Sequence, residues 1–128
     1  MVYISTHKLL TMVITERDNA LFEAGIKLGA LYHQFVGTPV NISTVDILEQ
    51  AIKESISVQP YVEKILVTID RDIIINKTTE KFKYCELEGR MLEVEARITF
   101  FNVTATVGLK YDKTLDYPLM RIIDIIEK

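Results

Sequence analysis

One cysteine, two histidines and three prolines are all that a chain of 128 residues carries of those types. Cys85 alone can close no intramolecular disulfide and build no cysteine-based zinc site, so a reducing cytoplasm is the expected compartment. With so few imidazole and thiol ligands no protein-ligated transition-metal site is expected, and no other cofactor is expected either. The P-loop, GxGxxG, HExxH, GxSxG and paired-cysteine signatures are all missing. Basic charge is not in excess either: 15 Lys and Arg stand against 18 Asp and Glu, for a net charge of −3. That balance argues against a nucleic-acid-binding surface. No apolar run approaches the roughly 20 residues that cross a bilayer. The opening "MVYISTHKLLTMVITERD" is broken at His7 and Lys8, where a secretory signal would need a continuous apolar core. A soluble chain without membrane or nucleic-acid partners is expected. Any chemistry rests on carboxylate, imidazole, phenol and amide groups.

What is present suffices for a single domain over residues 1–128, with 48% hydrophobic and 26% charged residues. The first helix is expected to open at "TERD", with Thr15 capping and Asp18 three positions on. Leu21, Ala24, Leu28, Leu31 and Phe35 follow at helical spacing, and "GTP" ends the run. A second helix repeats this grammar from Ser43 and Asp46, with a stripe of Val45, Leu48, Ile52 and Ile56 that stops before Pro60. Beyond Pro60, "YVEKILVTID" and "DIIIN" read as strands, being short and rich in β-branched residues. In "MLEVEARITFFNVTATVGLKYD", Leu92, Val94, Ala96, Ile98 and Phe100 alternate with polar residues. The phase then flips to Phe101, Val103, Ala105, Val107, Leu109 and Tyr111. Strand side chains alternate strictly, so the flip needs a bulge or a tight hairpin. Phe-Asn is poor turn chemistry, which favours a bulge in one long bent strand. "DYPLMRIIDIIEK" places Leu119, Ile122, Ile123 and Ile126 at helical spacing. The expected fold is therefore α+β: two leading helices on an antiparallel sheet with a long bent strand, and a closing carboxy-terminal helix.

The first helix carries the residues that ask for a reason. Glu23 lies four before Lys27, and the pattern alone favours a surface ion pair worth a few tenths of a kcal/mol. His33 falls on the flank of Phe22, Ile26 and Gly29, where a histidine is more often a satisfied core or interface group than a catalyst. Ten residues separate Glu23 from His33, about 15 Å along a straight helix and roughly 80° around it. One small reacting atom cannot touch both. Gly25 and Gly29 each cost up to about 1 kcal/mol of helix propensity. Close helix-to-sheet packing is their commoner explanation, and a flat ligand the rarer one. Gln59 stands before Pro60 at the helix-to-strand joint, where a glutamine is usually a loop residue. Tyr111 and Tyr84 are phenols able to donate a proton, although most strand tyrosines only pack. Cys85 reads as a small buried residue.

At "ITERDNALFEAGIKLGALYHQFVGTPV" the chain resembles the archaeal dihydroneopterin aldolases of methanopterin biosynthesis. The likeness continues through "SVQPYV" to "GLKYDKTLDYPLM" and is weakest over residues 71–89. The resemblance implies an aldehyde-lyase that splits 7,8-dihydroneopterin into 6-hydroxymethyl-7,8-dihydropterin and glycolaldehyde, with neither metal nor Schiff-base lysine. It implies that Glu23 anchors the pterin, that His33 and Tyr111 move protons, and that Gln59 holds a hydroxyl or a water. Tyr84 would be a second phenol, and Gly25 and Gly29 would leave room for the ring or for a neighbouring helix. A homo-oligomer, taken as a tetramer, with the site between subunits would reconcile the distance from Glu23 to His33. Two other readings stay open: a non-catalytic module that binds a pterin or purine-like ligand, and an oligomerising structural protein.

Overall fold

In the computed structural model, which describes residues 9–128, the first helix α1 (Glu16–Phe35) starts where the sequence expects it. Thr15 Oγ1 accepts from the Asp18 amide at 3.2 Å, and Asp18 Oδ2 accepts from the Thr15 amide at 2.9 Å. Two otherwise orphaned amides are satisfied reciprocally. The helix stops at Gly37, whose φ of 98° is left-handed and unstrained only for glycine. Gly37 N–H then donates to the Leu87 carbonyl at 2.8 Å. The two-residue strand β1 (Pro39–Val40) follows. It pairs antiparallel with β3 (Cys85–Glu86), in which Cys85 is buried as expected.

Helix α2 (Val45–Ser57) buries Val45, Ile52 and Ile56, the expected stripe. Its start differs from expectation, because Ser43 does not cap it. Asn41 Oδ1 instead accepts from the amides of Ser43 and Thr44, at 2.9 and 3.1 Å. An asparagine side chain mimics a turn of backbone and fixes the entry here. Strand β2 (Val62–Ile69) runs away from the joint. Glu49 of α2 accepts from the Ile69 amide at 2.7 Å and also from Arg71, which ties helix, strand end and next segment together.

Three expectations are overturned between residue 70 and the carboxy terminus. "DIIIN" is not a strand but lies within helix α3 (Arg71–Lys77), because Asp70 caps it by accepting from the Ile73 amide at 3.1 Å. Only Ile74 of its three isoleucines is fully buried, so a one-sided helix suits the run. The expected long bent strand is two strands, β4 (Leu92–Phe100) and β5 (Val103–Asp112), joined by the two-residue turn Phe101–Asn102. Phe101 accepts a left-handed φ of 54°. That costs on the order of 1–3 kcal/mol and is offset by a continuous ladder closing at Phe100 and Val103.

The expected closing helix is strand β6 (Tyr117–Glu127), paired antiparallel with β5 from Asp112↔Tyr117 to Val103↔Glu127. A bulge makes Thr106 face Asp124 while Val107 faces Ile122, leaving Ile123 as the extra residue. The residues opposite the buried Leu109, Val107 and Ala105 of β5 are therefore Met120, Ile122 and Ile125. One extra residue stretches a spacing of two into three, and that imitates a helical period.

The four-stranded sheet has the order β2-β4-β5-β6. Helix α1 lies over β4 and β5, and α2 over β2. The buried residues of the strands, among them Ile65, Leu92, Ile98 and Leu109, meet Leu28, Leu31, Ile52 and Ile56 of the helices. Among the described residues no helix covers the opposite sheet face. Strand β6 forms one sheet edge, and Ile122 and Ile126 each remain about half exposed. Among the described residues no helix is long and apolar enough to cross a membrane. The amino-terminal reading at His7 and Lys8 falls on residues 1–8, outside those described.

Two consequences for stability are testable. A methyl group at Gly89, in the helical turn Gly89–Met91, would run into the Tyr32 hydroxyl and lie 2.8–2.9 Å from the ring. Gly89→Ala should lower the unfolding free energy by about 1–3 kcal/mol in a urea titration. Glu88 accepts from Lys77 at 2.7 Å and from Arg90 at 2.8 Å, and these hydrogen bonds hold its carboxyl below the usual range. A depressed carboxyl contributes stability that is full above its unfolded value, about 4.3. That contribution is lost as the pH falls through the lower folded value. Glu88→Gln should therefore melt below the wild type at pH 7 and converge with it under acid.

Candidate active site

Glu23 is half-buried on the flank of α1, and its Oε2 accepts from Lys27 Nζ at 2.5 Å. The sequence favours a surface pair here, but the pair is not one. Lys27 is only 5% exposed, the one charged side chain buried among the described residues. Its Nζ lies 5.6 Å from the centre of the Tyr61 ring, a distance at which a cation is attracted to an aromatic face. Tyr61 in turn packs on Phe100 at 5.0 Å between ring centres, and Phe100 on Phe101 at 4.8 Å. A carboxylate, a buried ammonium and three aromatic rings thus share one corner, beside the β4–β5 turn.

Backbone geometry fixes that corner. Tyr61 has φ 70°, a left-handed conformation that a tyrosine adopts only where its surroundings impose it. The Thr99 amide donates to its carbonyl at 2.8 Å, pinning the joint to β4. Gln59, half-buried, stands two residues earlier in the same joint, where its carbonyl accepts from the Val62 amide at 3.4 Å. The segment from Gln59 to Tyr61 and the pair Glu23–Lys27 therefore converge on one end of the sheet.

His33 does not join them. It is exposed near the end of α1, with its ring edge-on to Tyr32 at 5.7 Å. It shares the outward face of the helix with Phe22, which is 68% exposed, and with Ile26. Gly25 and Gly29 lie on this face too, and a methyl group added at either would meet nothing within 4 Å. Helix-to-sheet packing, their commoner explanation, is thereby overturned. The glycines leave open space on the outer face, and the sheet side falls to alanine and leucine.

Tyr111 stands at the far end of the sheet. It is eight residues along β5 from Val103, about 26 Å at the usual rise per residue. Its hydroxyl donates to Asp116, whose φ of 49° is again left-handed. That hydrogen bond, with partial burial and the negative charge of Asp116, raises the phenol above its ordinary pKa, while Arg90 opposes the shift. Tyr111 lines a surface hollow of about 420 Å³ together with Arg90, Lys110 and Lys113. Tyr84 is exposed beside the β1–β3 pair, next to Lys83, whose carbonyl accepts from Asn41 at 3.0 Å. Among the described residues, no three His, Cys, Asp or Glu side chains cluster as a metal site would need.

The structure thus brings together Glu23 and the Gln59 joint and leaves His33, Tyr84 and Tyr111 elsewhere. Sequence reasoning missed Lys27 and Tyr61. On a helical wheel Lys27 falls within the stripe of Ala20, Ala24 and Leu31, and this signal was available. Nothing local to Tyr61 marks its left-handed backbone.

Comparison with known proteins follows the same lines. The family model for dihydroneopterin aldolase matches residues 15–123, from the cap of α1 into β6. A protein of Picrophilus torridus named dihydroneopterin aldolase is 37% identical over 106 residues, covering 83% of this chain and 86% of its own. One of the same name from Methanopyrus kandleri is 35% identical over 113 residues, covering 88% and 91%. A crystal structure of a Picrophilus torridus protein superposes with a TM-score of 0.77 at 35% identity, over 91% of this chain and 92% of that one. Its likeness takes in the α+β architecture, and the span of the family match includes positions 23 and 111. The chain belongs to the dihydroneopterin aldolase family, and with it to the aldehyde-lyases.

Proposed function

We propose that the chain cleaves 7,8-dihydroneopterin by a retro-aldol reaction in which Glu23 anchors the ring and side chains from two copies move the protons. The observation that carries this reading is the half-buried Glu23 carboxylate at an aromatic corner, within a chain of this family. A carboxylate accepts from the ring's amino group and the adjacent N–H in parallel, which orients as well as binds. Loss of the 2′-hydroxyl proton then breaks the C1′–C2′ bond. The electron pair passes into the dihydropterin ring, and a proton returned to carbon completes the hydroxymethyl product beside glycolaldehyde. The substrate supplies its own electron sink.

Tyr111 suits the returning step, because the hydrogen bond to Asp116 keeps its phenol protonated. His33 suits the abstraction, directly or through a water that Gln59 holds, and Tyr84 is a second phenol at hand. No single chain brings these groups to one reacting carbon, since Tyr111 and Glu23 lie at opposite ends of the sheet. A second copy supplies what the first lacks. Two surfaces favour self-association, with a tetramer as the proposed size. One is the outer face of α1 with its open Gly25 and Gly29. The other is the apolar edge strand β6, whose unpaired backbone invites another strand. The compartment proposed is the cytoplasm.

An assay with 7,8-dihydroneopterin, following glycolaldehyde and 6-hydroxymethyl-7,8-dihydropterin, tests the reading. Tyr111→Phe and His33→Ala should each lower kcat by about 10²–10⁴-fold, while Glu23→Gln chiefly raises KM. Intact turnover in both proton-transfer variants would sink the mechanism. Pterin binding without glycolaldehyde release would mark a binding module, and no binding at millimolar pterin a structural protein. Light scattering at assay concentration should find an oligomer; a fully active monomer overturns the shared site.

A further inference from the structure

An ammonium withdrawn from water must find compensation inside the protein. For Lys27 it comes from Glu23 Oε2 at 2.5 Å and the Tyr61 ring at 5.6 Å. An ordinary i, i+4 pair lies on the solvated flank of a helix with both partners exposed. Here the order is inverted, with the cation beneath, sealed from solvent, and the carboxylate above, half open to it. Among the described residues Glu23 makes no other side-chain hydrogen bond, so Oε1 is left to an incoming donor. The same ammonium sits under the tyrosine whose backbone is held left-handed at the joint. One buried charge therefore orders both the acceptor and the ring beside it.

We propose that Lys27 is a positioning residue for substrate recognition. It locks the Glu23 carboxylate in one orientation, with the Tyr61 ring alongside, so that the free Oε1 and the second lone pair of Oε2 together meet the donor edge of a 2-amino-4-oxo heterocycle. Lys27 touches no substrate atom and takes no proton. The inference rests on the reading of Glu23 as ring anchor and goes beyond it in giving the buried lysine a part in binding.

The test titrates neopterin, the oxidised analogue of the substrate, by fluorescence and measures KM and kcat with 7,8-dihydroneopterin. Lys27→Met keeps the length of the side chain and removes the charge. It should weaken neopterin binding and raise KM in parallel by about 10- to 100-fold, the loss of a hydrogen bond to a charged group, with a smaller fall in kcat. Lys27→Arg should recover most of the binding. Glu23→Gln and the double variant with Lys27→Met should bind equally weakly, because the lysine acts only through that carboxylate. Lys27→Gln serves in the same comparisons should Lys27→Met not fold. Binding within about twofold of wild type in a folded variant, or losses that add to that of Glu23→Gln, overturns the proposal and leaves the aldolase reading standing. A wild type that neither binds neopterin nor cleaves dihydroneopterin removes both.

Discussion

A sheet whose one face takes both long helices is the constraint from which the rest follows. Strict alternation in β4 and β5 gathers Leu92, Val94, Ala96, Ile98, Val103, Ala105 and Leu109 on one side, and both long helices must lie there. Helix α1 then turns a narrow stripe inward and exposes a broad outer face. Glu23 falls at the border between the two, where a carboxylate is within reach of solvent and a lysine head is not. The buried ammonium is thus a by-product of where the helix axis lies. Once buried, it imposes a partner on Glu23.

How far the sequence reveals this depends on whether the deciding interaction is local. The start of α1 was legible because Thr15 and Asp18 satisfy each other within four residues. The strands of the central ladder were legible from alternation, and the α+β class followed. The closing segment misled because its pattern is set by a bulge against β5, a partner that spacing within the segment does not disclose. Phe101–Asn102 misled in the opposite direction. Local turn chemistry disfavours the hairpin, and the cross-strand ladder overrules it. At Asp70 a cap outweighed the strand preference of three isoleucines.

The site divides in the same way. Glu23 and His33 stood out as ionisable groups in an apolar frame, but their separation could be read from helix geometry only as a difficulty. The distance of Tyr111 from the Glu23 corner needs the sheet, since it follows from the length of β5 and from which end of β4 receives Tyr61. The left-handed backbone at Tyr61 needs the joint between α2 and β2, and no residue type announces it. The sequence did carry the sign of Lys27, whose place on the wheel lies among alanines and leucines.

Separated groups are no obstacle to a reaction whose substrate is elongated and carries its own electron sink. The ring end requires binding and orientation, which a half-buried carboxylate held by a buried lysine would supply. The tail end requires proton transfer, and that needs groups reachable by water and free to change protonation. Those demands conflict within a single pocket, because burial that strengthens the anchor also penalises the charged states of an acid–base pair. In the mechanism proposed above, an anchor at a packed corner of one chain and a phenol at the open end of a strand from another would separate the two environments. Orientation of the ring would then fix the position of the tail, and a modest acid–base contribution would act on a bond already aligned for cleavage.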